Sequence, residues 1–187
     1  MREQWAESDA LNKKLKGVQI LKGTECDILV DGSMDYDDEL LAGFDYVVAS
    51  VHSLFGLSED DQTTRVCRAL SNPHVTMLGH ATGRLLLRRD GYKLNIEKVL
   101  QAAAKHGKMI EINAQPERLD LDWTHVKRAK ALGIPLVINP DAHSPSDLAL
   151  VPYGVNVARR GWLTKADVFN TKPLKDVLKE LAKRKGK

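Results

Sequence analysis

The sequence predicts an α/β fold built on a parallel sheet of barrel type, and three observations carry that expectation. Short apolar runs rich in β-branched residues alternate with helical stretches along the 187 residues. Each run stops at or near a polar residue: Glu25, His52, His80, Glu111 or Asp141. The intervals between these residues are 27, 28, 31 and 30 positions, and a βα unit takes about 30.

The elements follow in order. Glu3–Leu15 reads as a helix with a sparse apolar stripe of Trp5, Leu11 and Leu15. Val18–Leu21 reads as a strand running into Gly23, Glu25 and Asp27. Asp31–Asp38 is a turn-rich acidic loop and Asp38–Ala42 a short helix. Tyr46–Val51 is a near-continuous apolar run, the mark of a strand buried on both faces, and it stops at His52. Ser58–Leu70 reads as a helix, with Ser58 as N-cap and Asp61 three residues on. Val75–Leu78 is a strand stopping at Gly79 and His80. Asn95–His106 is a helix capped by Asn95 and ended by Gly107. Met109–Ile112 is a strand carrying Glu111 and stopping at Asn113. Leu121–Leu132 is a helix ended by Gly133, and Leu136–Ile138 a strand before Asp141 and His143. Asp167–Lys183 is helical with a break at Pro173.

Polar residues at the ends of five successive strands favour a converging barrel over a doubly wound sheet, whose site gathers only at its switch point. Five strands do not close such a barrel, and TIM-type barrels use eight. The expectation is therefore the C-terminal portion of a larger barrel.

Composition limits the function classes. Hydrophobic residues make up 43% and charged residues 28%, an ordinary globular balance. No apolar run approaches the ~18 residues of a membrane span, and the polar N-terminus has no signal-peptide core. Cys26 and Cys67 form no C-x-x-C, which reads as reduced thiols and a cytoplasmic location. Net charge is 28 − 25 = +3. Residues 175–187 alone carry six Lys/Arg against Asp176 and Glu180, a net +4, so the rest of the chain stands at −1. The basic character belongs to a C-terminal helix of about 173–187, read as a solvated face or a phosphate-seeking tail, and says little about DNA binding by the body.

Glu25, His52, His80, Asp141 and His143 are carboxylates and imidazoles, the ligand set of Zn²⁺ and Mn²⁺-class ions. A single histidine after a strand is usually just a satisfied polar residue. Three of them with two acids at successive strand ends favour a metal site. His74, His106 and His125 fall in a turn, a helix end and a helix, and read as structural. Glu111 and Asn113 read equally well as supporting residues or as a polar plug. Arg84 and Arg118 lie on loops after strand ends and suit bidentate phosphate recognition. The remaining arginines, Arg159 and Arg160 before Trp162 among them, read as surface charge.

The segments GTECDIL, ASVHS, LGHATGRLL, EINAQPERLDL and INPDAHS resemble the PHP (polymerase and histidinol phosphatase) superfamily. The likeness is nearest to the PHP domain at the C-terminus of bacterial family X DNA polymerases, and YGVNVARRGWLTKADVFNTKPL extends it. It runs from about Leu15 to Leu178. The resemblance implies a single domain over 1–187 with a distorted seven-stranded βα barrel holding up to three metal ions, Mn or Zn. It implies that Glu25 bridges two metals, that His52 and His80 complete one site with it, that Asp141 ligates the second metal and His143 the third. The family opens with an H-x-H on its first strand, a further His, and a T-D-H after the second. None occurs here, so the expected fold is a TIM-like (βα)7 barrel lacking about its first two βα units, with one complete metal site.

The function this implies is a metal-dependent phosphoesterase acting on a DNA 3′ end as a 3′–5′ exonuclease beside an upstream polymerase domain. Its ions would polarise phosphoryl oxygens, and Arg84 and Arg118 would hold the phosphate. A histidinol-phosphatase-like small-molecule phosphatase and a catalytically inactive metal-binding fragment are the alternatives. An amidohydrolase-like enzyme is a remoter one.

Overall fold

The structure, a computed structural model, describes residues 1–184. The expected basic helix ends in residues 185–187, which lie outside the described residues.

Five strands form one sheet in the order β1-β2-β3-β4-β5, every neighbouring pair parallel. They are β1 (Gly23–Asp27), β2 (Tyr46–Ser50), β3 (Met77–Leu78), β4 (Met109–Asn113) and β5 (Leu136–Asn139). Strand order equal to chain order means that every crossover steps the same way, the arrangement the strand-end spacing predicts. Two isolated antiparallel bridges, Ile28 with Met34 and Leu85 with Arg89, pinch loops and leave the sheet wholly parallel.

Helix α1 (Arg2–Asn12) precedes the sheet, and the helices between the strands are α2 (Asp38–Gly43), α3 (Glu59–Ser71), α4 (Ile96–Lys105) and α5 (Trp123–Ala131). Ser58, Asn95 and Asp122 cap three of them by accepting from Asp61, Lys98 and Thr124 N–H groups. Gly107 and Gly133, at φ +64° and +70°, turn the chain out of α4 and α5.

Each face of the sheet has its own core. On one, Cys26, Val47, Ala49, Ile110, Ile112 and Ile138 meet Leu41, Val66, Leu70, Leu100 and Val126 of the helices. On the other, Met77, Met109 and Val137 meet Phe169 and Leu181, with Tyr46, Val48 and Val177 at the margin. The second face is thus covered from the C-terminal end of the chain, by helix α7 (Leu174–Arg184) and the short 3-10 turn Phe169–Thr171 before it. The predicted C-terminal helix is therefore amphipathic. Val177 and Leu181 pack against the sheet, while Arg184 bonds the Gly107 carbonyl and Glu180.

Three expectations are corrected. The first strand is Gly23–Asp27, and Val18, expected within it, is exposed. Gly23 fits there because Tyr46 lies across the spot a Cβ would fill, 2.1 Å from its ring. The third strand is two residues: the Thr76 backbone still bonds Val47 and Met109, but Val47 N–H is taken by the Thr76 hydroxyl at 3.0 Å in place of a carbonyl. A helix, α6 (Val151–Arg160), fills a stretch where none was expected. Pro152 is tolerated in its first turn. Gly154 is required by closeness, since a Cβ would stand 2.6 Å from Ile138 Cγ2 and 2.9 Å from Ala114 Cβ.

The outer edge of β5 is closed locally. Asn170 accepts from Ile138 N–H at 3.2 Å and donates to Ile138 O at 2.7 Å, as a neighbouring peptide would. Among the described residues, β1 pairs in the sheet only with β2.

Candidate metal centre

The polar rim grows out of the inner face of the sheet. Glu25 lies in register with Val48, and Glu111 with Val137. These side chains line a cavity of about 410 Å³ together with the polar His80, Asn139 and Asp141 and the apolar Met77, Phe169 and Leu181.

Glu25, His52 and His80 each offer one ligand atom, and these atoms all lie within 4.8 Å of one another. His80 Nε2 is 3.0 Å and His52 Nε2 3.4 Å from Glu25 Oε1. Ligands at about 2.0–2.1 Å around a tetrahedral ion stand roughly 3.3 Å apart, so the donor set and its spacing fit a divalent cation. Among the described residues this is the one such group of three.

Each member is held from behind. Asp27 Oδ1 contacts His52 Nδ1 at 2.6 Å, which aims Nε2 at Glu25. A carboxylate behind a ligating histidine sets its tautomer and ring orientation. His80 is 3% exposed, and its backbone N–H donates to Glu111 Oε2 at 2.6 Å. Glu111 is itself buried, accepting from Asn113 at 3.2 Å and from Asn139 at 2.9 Å. Gly79 lets this happen, since a Cβ there would meet Ser50 Oγ at 2.5 Å. His80 Nδ1 is buried without a hydrogen-bond partner among the described residues.

The electrostatics follow from the packing. Burial works to raise the Glu25 carboxyl, but hydrogen bonds from His52 and His80 outweigh it and hold it well below the usual carboxylate range. The bond to Glu25, opposed by burial and helped by Asp27, lifts His52 to about 9. Burial pushes Glu111 upward against the bonds it accepts. Without a cation, then, His52 and Glu25 stand as an imidazolium–carboxylate pair, and His52 must give up a proton before its ring can ligate an ion.

The other predicted site residues are placed differently. Asp141 lines the same cavity at φ +50°, its Oδ2 accepting from Asn113 at 3.0 Å and facing Arg118 Nε at 3.6 Å. His143 is not brought to the cluster. Its side chain is 81% exposed, and Nδ1 donates to the Asp141 carbonyl at 2.8 Å. Arg84 is engaged by the loop after β4. It donates from Nε to the Arg118 carbonyl at 2.8 Å and from Nη2 to that of Leu119. Sequence reasoning gave Asp27 no role at the site and passed over Asn139. The signal for Asp27 was its spacing, two residues after Glu25 and so on the same face of the strand.

A parallel α/β sheet with a Glu/His/His cluster on its strand-end rim defines a class of candidate metalloprotein, and likeness to known proteins makes it particular. The chain is 45% identical over 177 residues to the DNA polymerase/3'-5' exonuclease PolX of Bacillus subtilis (strain 168), a match covering 95% of the chain and 31% of that protein. It is 31% identical over 188 residues to a probable phosphatase of Thermoanaerobacter sp. (strain X514), covering 94% of the chain and 74% of the relative. A probable phosphatase of Caldanaerobacter subterraneus is also 31% identical, with 93% and 71% covered. No family model matches. The chain belongs to the family of these probable phosphatases, and the PHP likeness of its motifs fits them. It spans about a third of the length of PolX. No helix among the described residues is long and apolar enough to cross a membrane.

Proposed function

We propose that the chain is a PHP-type, metal-dependent phosphoesterase domain whose ion is held by Glu25, His52 and His80. The observation that carries this is the convergence of those three donors on one point of the strand-end rim. A divalent ion bound there supplies Lewis acidity toward a phosphoryl oxygen. The chain's own residues do the rest. Asp27 keeps His52 turned inward, Glu111 fixes the His80 backbone, and Asp141 shares the cavity as a further carboxylate donor. His143, at the exposed rim, is a donor available to a further ion. Arg118 holds the substrate phosphate, and Arg84 sets the loop that presents it.

The substrate is a phosphodiester at a DNA 3′ end, cleaved as in a 3′–5′ exonuclease linked to a family X polymerase domain. Support comes from the 45% identity to PolX along nearly the whole chain. The probable phosphatases, matched over most of their length, favour a small phosphate monoester as the second reading. The ion is Mn or Zn, and two free cysteines fit a reducing, cytoplasmic setting.

The test is metal analysis with hydrolysis assays. Chelator-stripped chain reloaded with Mn²⁺ or Zn²⁺ is assayed on a 3′-labelled oligonucleotide and on a small phosphate monoester. Metal binding and hydrolysis lost together in His52→Ala support the reading. Hydrolysis that survives both chelation and His52→Ala overturns it.

A further inference from the structure

The α5–α6 face carries a cluster of tryptophans and cations outside the metal centre. Arg160 lies over the Trp123 ring at 4.9 Å, and Lys127 over the Trp162 ring at 5.4 Å. Lys130, one turn beyond Lys127, donates to the Trp162 carbonyl at 2.9 Å and pairs with Asp167 at 2.9 Å. Lys127, Arg159 and Arg160 have no carboxylate within 4.0 Å among the described residues, so the face is positive. It is linked through the start of α5 to the loop that carries Arg118. Trp123 directly follows Asp122, which faces Arg84, and Arg84 holds the Arg118 loop.

Trp162 is one of six non-glycine residues at positive φ among the described residues, and of these it alone is a tryptophan. Leu163 N–H bonds the Ala158 carbonyl and Trp162 N–H that of Arg159, each at 3.0 Å, so α6 ends in a Schellman turn. That turn places Trp162 at φ +63°, where glycine is the unstrained residue. An indole is kept there nonetheless, 73% exposed. A large aromatic held out on a strained position beside unpaired cations is the pattern of a base-stacking platform.

We propose that Trp162, with Lys127, Arg159 and Arg160, binds a single-stranded polynucleotide, one base on the open indole face and the backbone phosphates on the cations. This rests on the phosphodiesterase reading and adds to it a strand-holding track outside the metal centre. The choice of a polynucleotide over an acidic protein surface rests on the indole, since charge alone needs no exposed ring.

The test is fluorescence anisotropy with a labelled oligothymidylate in chelator, where nothing is cleaved. Trp162→Gly removes the ring and puts the preferred residue at the turn, so melting temperature should hold or rise. Affinity should fall on the order of tenfold, and Trp162→Phe should keep most of it. Lys127→Ala and Arg159→Ala should each lower the slope of log K against log salt, by about 0.7 for every phosphate no longer neutralised. Unchanged affinity in Trp162→Gly overturns the proposal, as does no binding by the unaltered chain at low salt. Binding that depends on Trp162 in a chain whose hydrolysis survives chelation and His52→Ala would sink the metal-dependent reading and leave the strand track standing.

Discussion

At the scale of single residues, His52 makes the sharpest pH argument. Its imidazolium is raised to about 9 from an ordinary value of 6.5, chiefly by its bond to Glu25. A group whose pKa is higher folded than unfolded stabilises the fold fully below the unfolded value. That contribution is lost as pH rises through the folded one. The metal-free chain should therefore lose melting temperature between about pH 6.5 and 9. Metal binding runs the other way, since it requires the neutral ring, so affinity should climb over the same interval. The difference between the unaltered chain and His52→Ala isolates the effect, and parallel melting curves for the two would contradict it. Asp27→Asn should lower metal affinity about 10–100-fold, measured by competition with a chelating dye, because it replaces the carboxylate behind the His52 ring with a neutral amide. Glu25, His52 and His80 were legible as strand-end residues of ligand type. The exposure of His143 was not, because nothing in D-A-H says which way a chain leaves a turn at φ +50°.

At the scale of elements, Arg65 shows how a helix holds a site it does not line. It is a buried arginine on α3, and its guanidinium bonds the carbonyls of Ile28, Leu29 and Ser53. Those carbonyls belong to the segments just after Asp27 and His52, so α3 clamps the exits of β1 and β2 together. Arg65→Met removes a donor from each of them, that of Ile28 buried, and should cost about 1–3 kcal/mol. Denaturant unfolding would show this as a lower midpoint at unchanged slope, and an unshifted midpoint would remove the clamp from the account. Gly154→Val tests α6 against the sheet. Extra carbons within 3 Å of Ile138 and Ala114 should cost about 1–3 kcal/mol, read in the same assay. The helices α3, α4 and α5 were legible from caps and glycine stops. α6 was hidden because Pro152 and Gly154 look like breakers, and only the closeness of the sheet explains why a glycine belongs there. β1 was displaced because GTECD carries no apolar alternation, its strand character coming from pairing with Tyr46–Ser50.

At the scale of the whole molecule, strand order was legible from interval alone, since units of about 30 residues ending in polar positions imply one repeated step. What the intervals could not say is how the inner face is covered. That depends on α7 folding back so that Val177 and Leu181 meet the floor of the sheet, a contact between distant parts of the chain. The same face decides the last prediction. Two-metal hydrolysis clamps the attacking and leaving oxygens with ions about 3.5–4 Å apart. Among the described residues, three donors meet at one point, Asp141 sits apart on the same cavity, and His143 faces outward. The 187-residue chain is therefore expected to take up close to one ion and to hydrolyse a DNA 3′ end far more slowly than the Bacillus subtilis PolX protein under the same Mn²⁺ load. Elemental analysis of dialysed protein gives the stoichiometry, and a 3′-labelled oligonucleotide gives the rate. Two or more tightly held ions per chain, with a rate matching PolX that vanishes in His52→Ala, would show that the donors on this rim suffice for the full reaction.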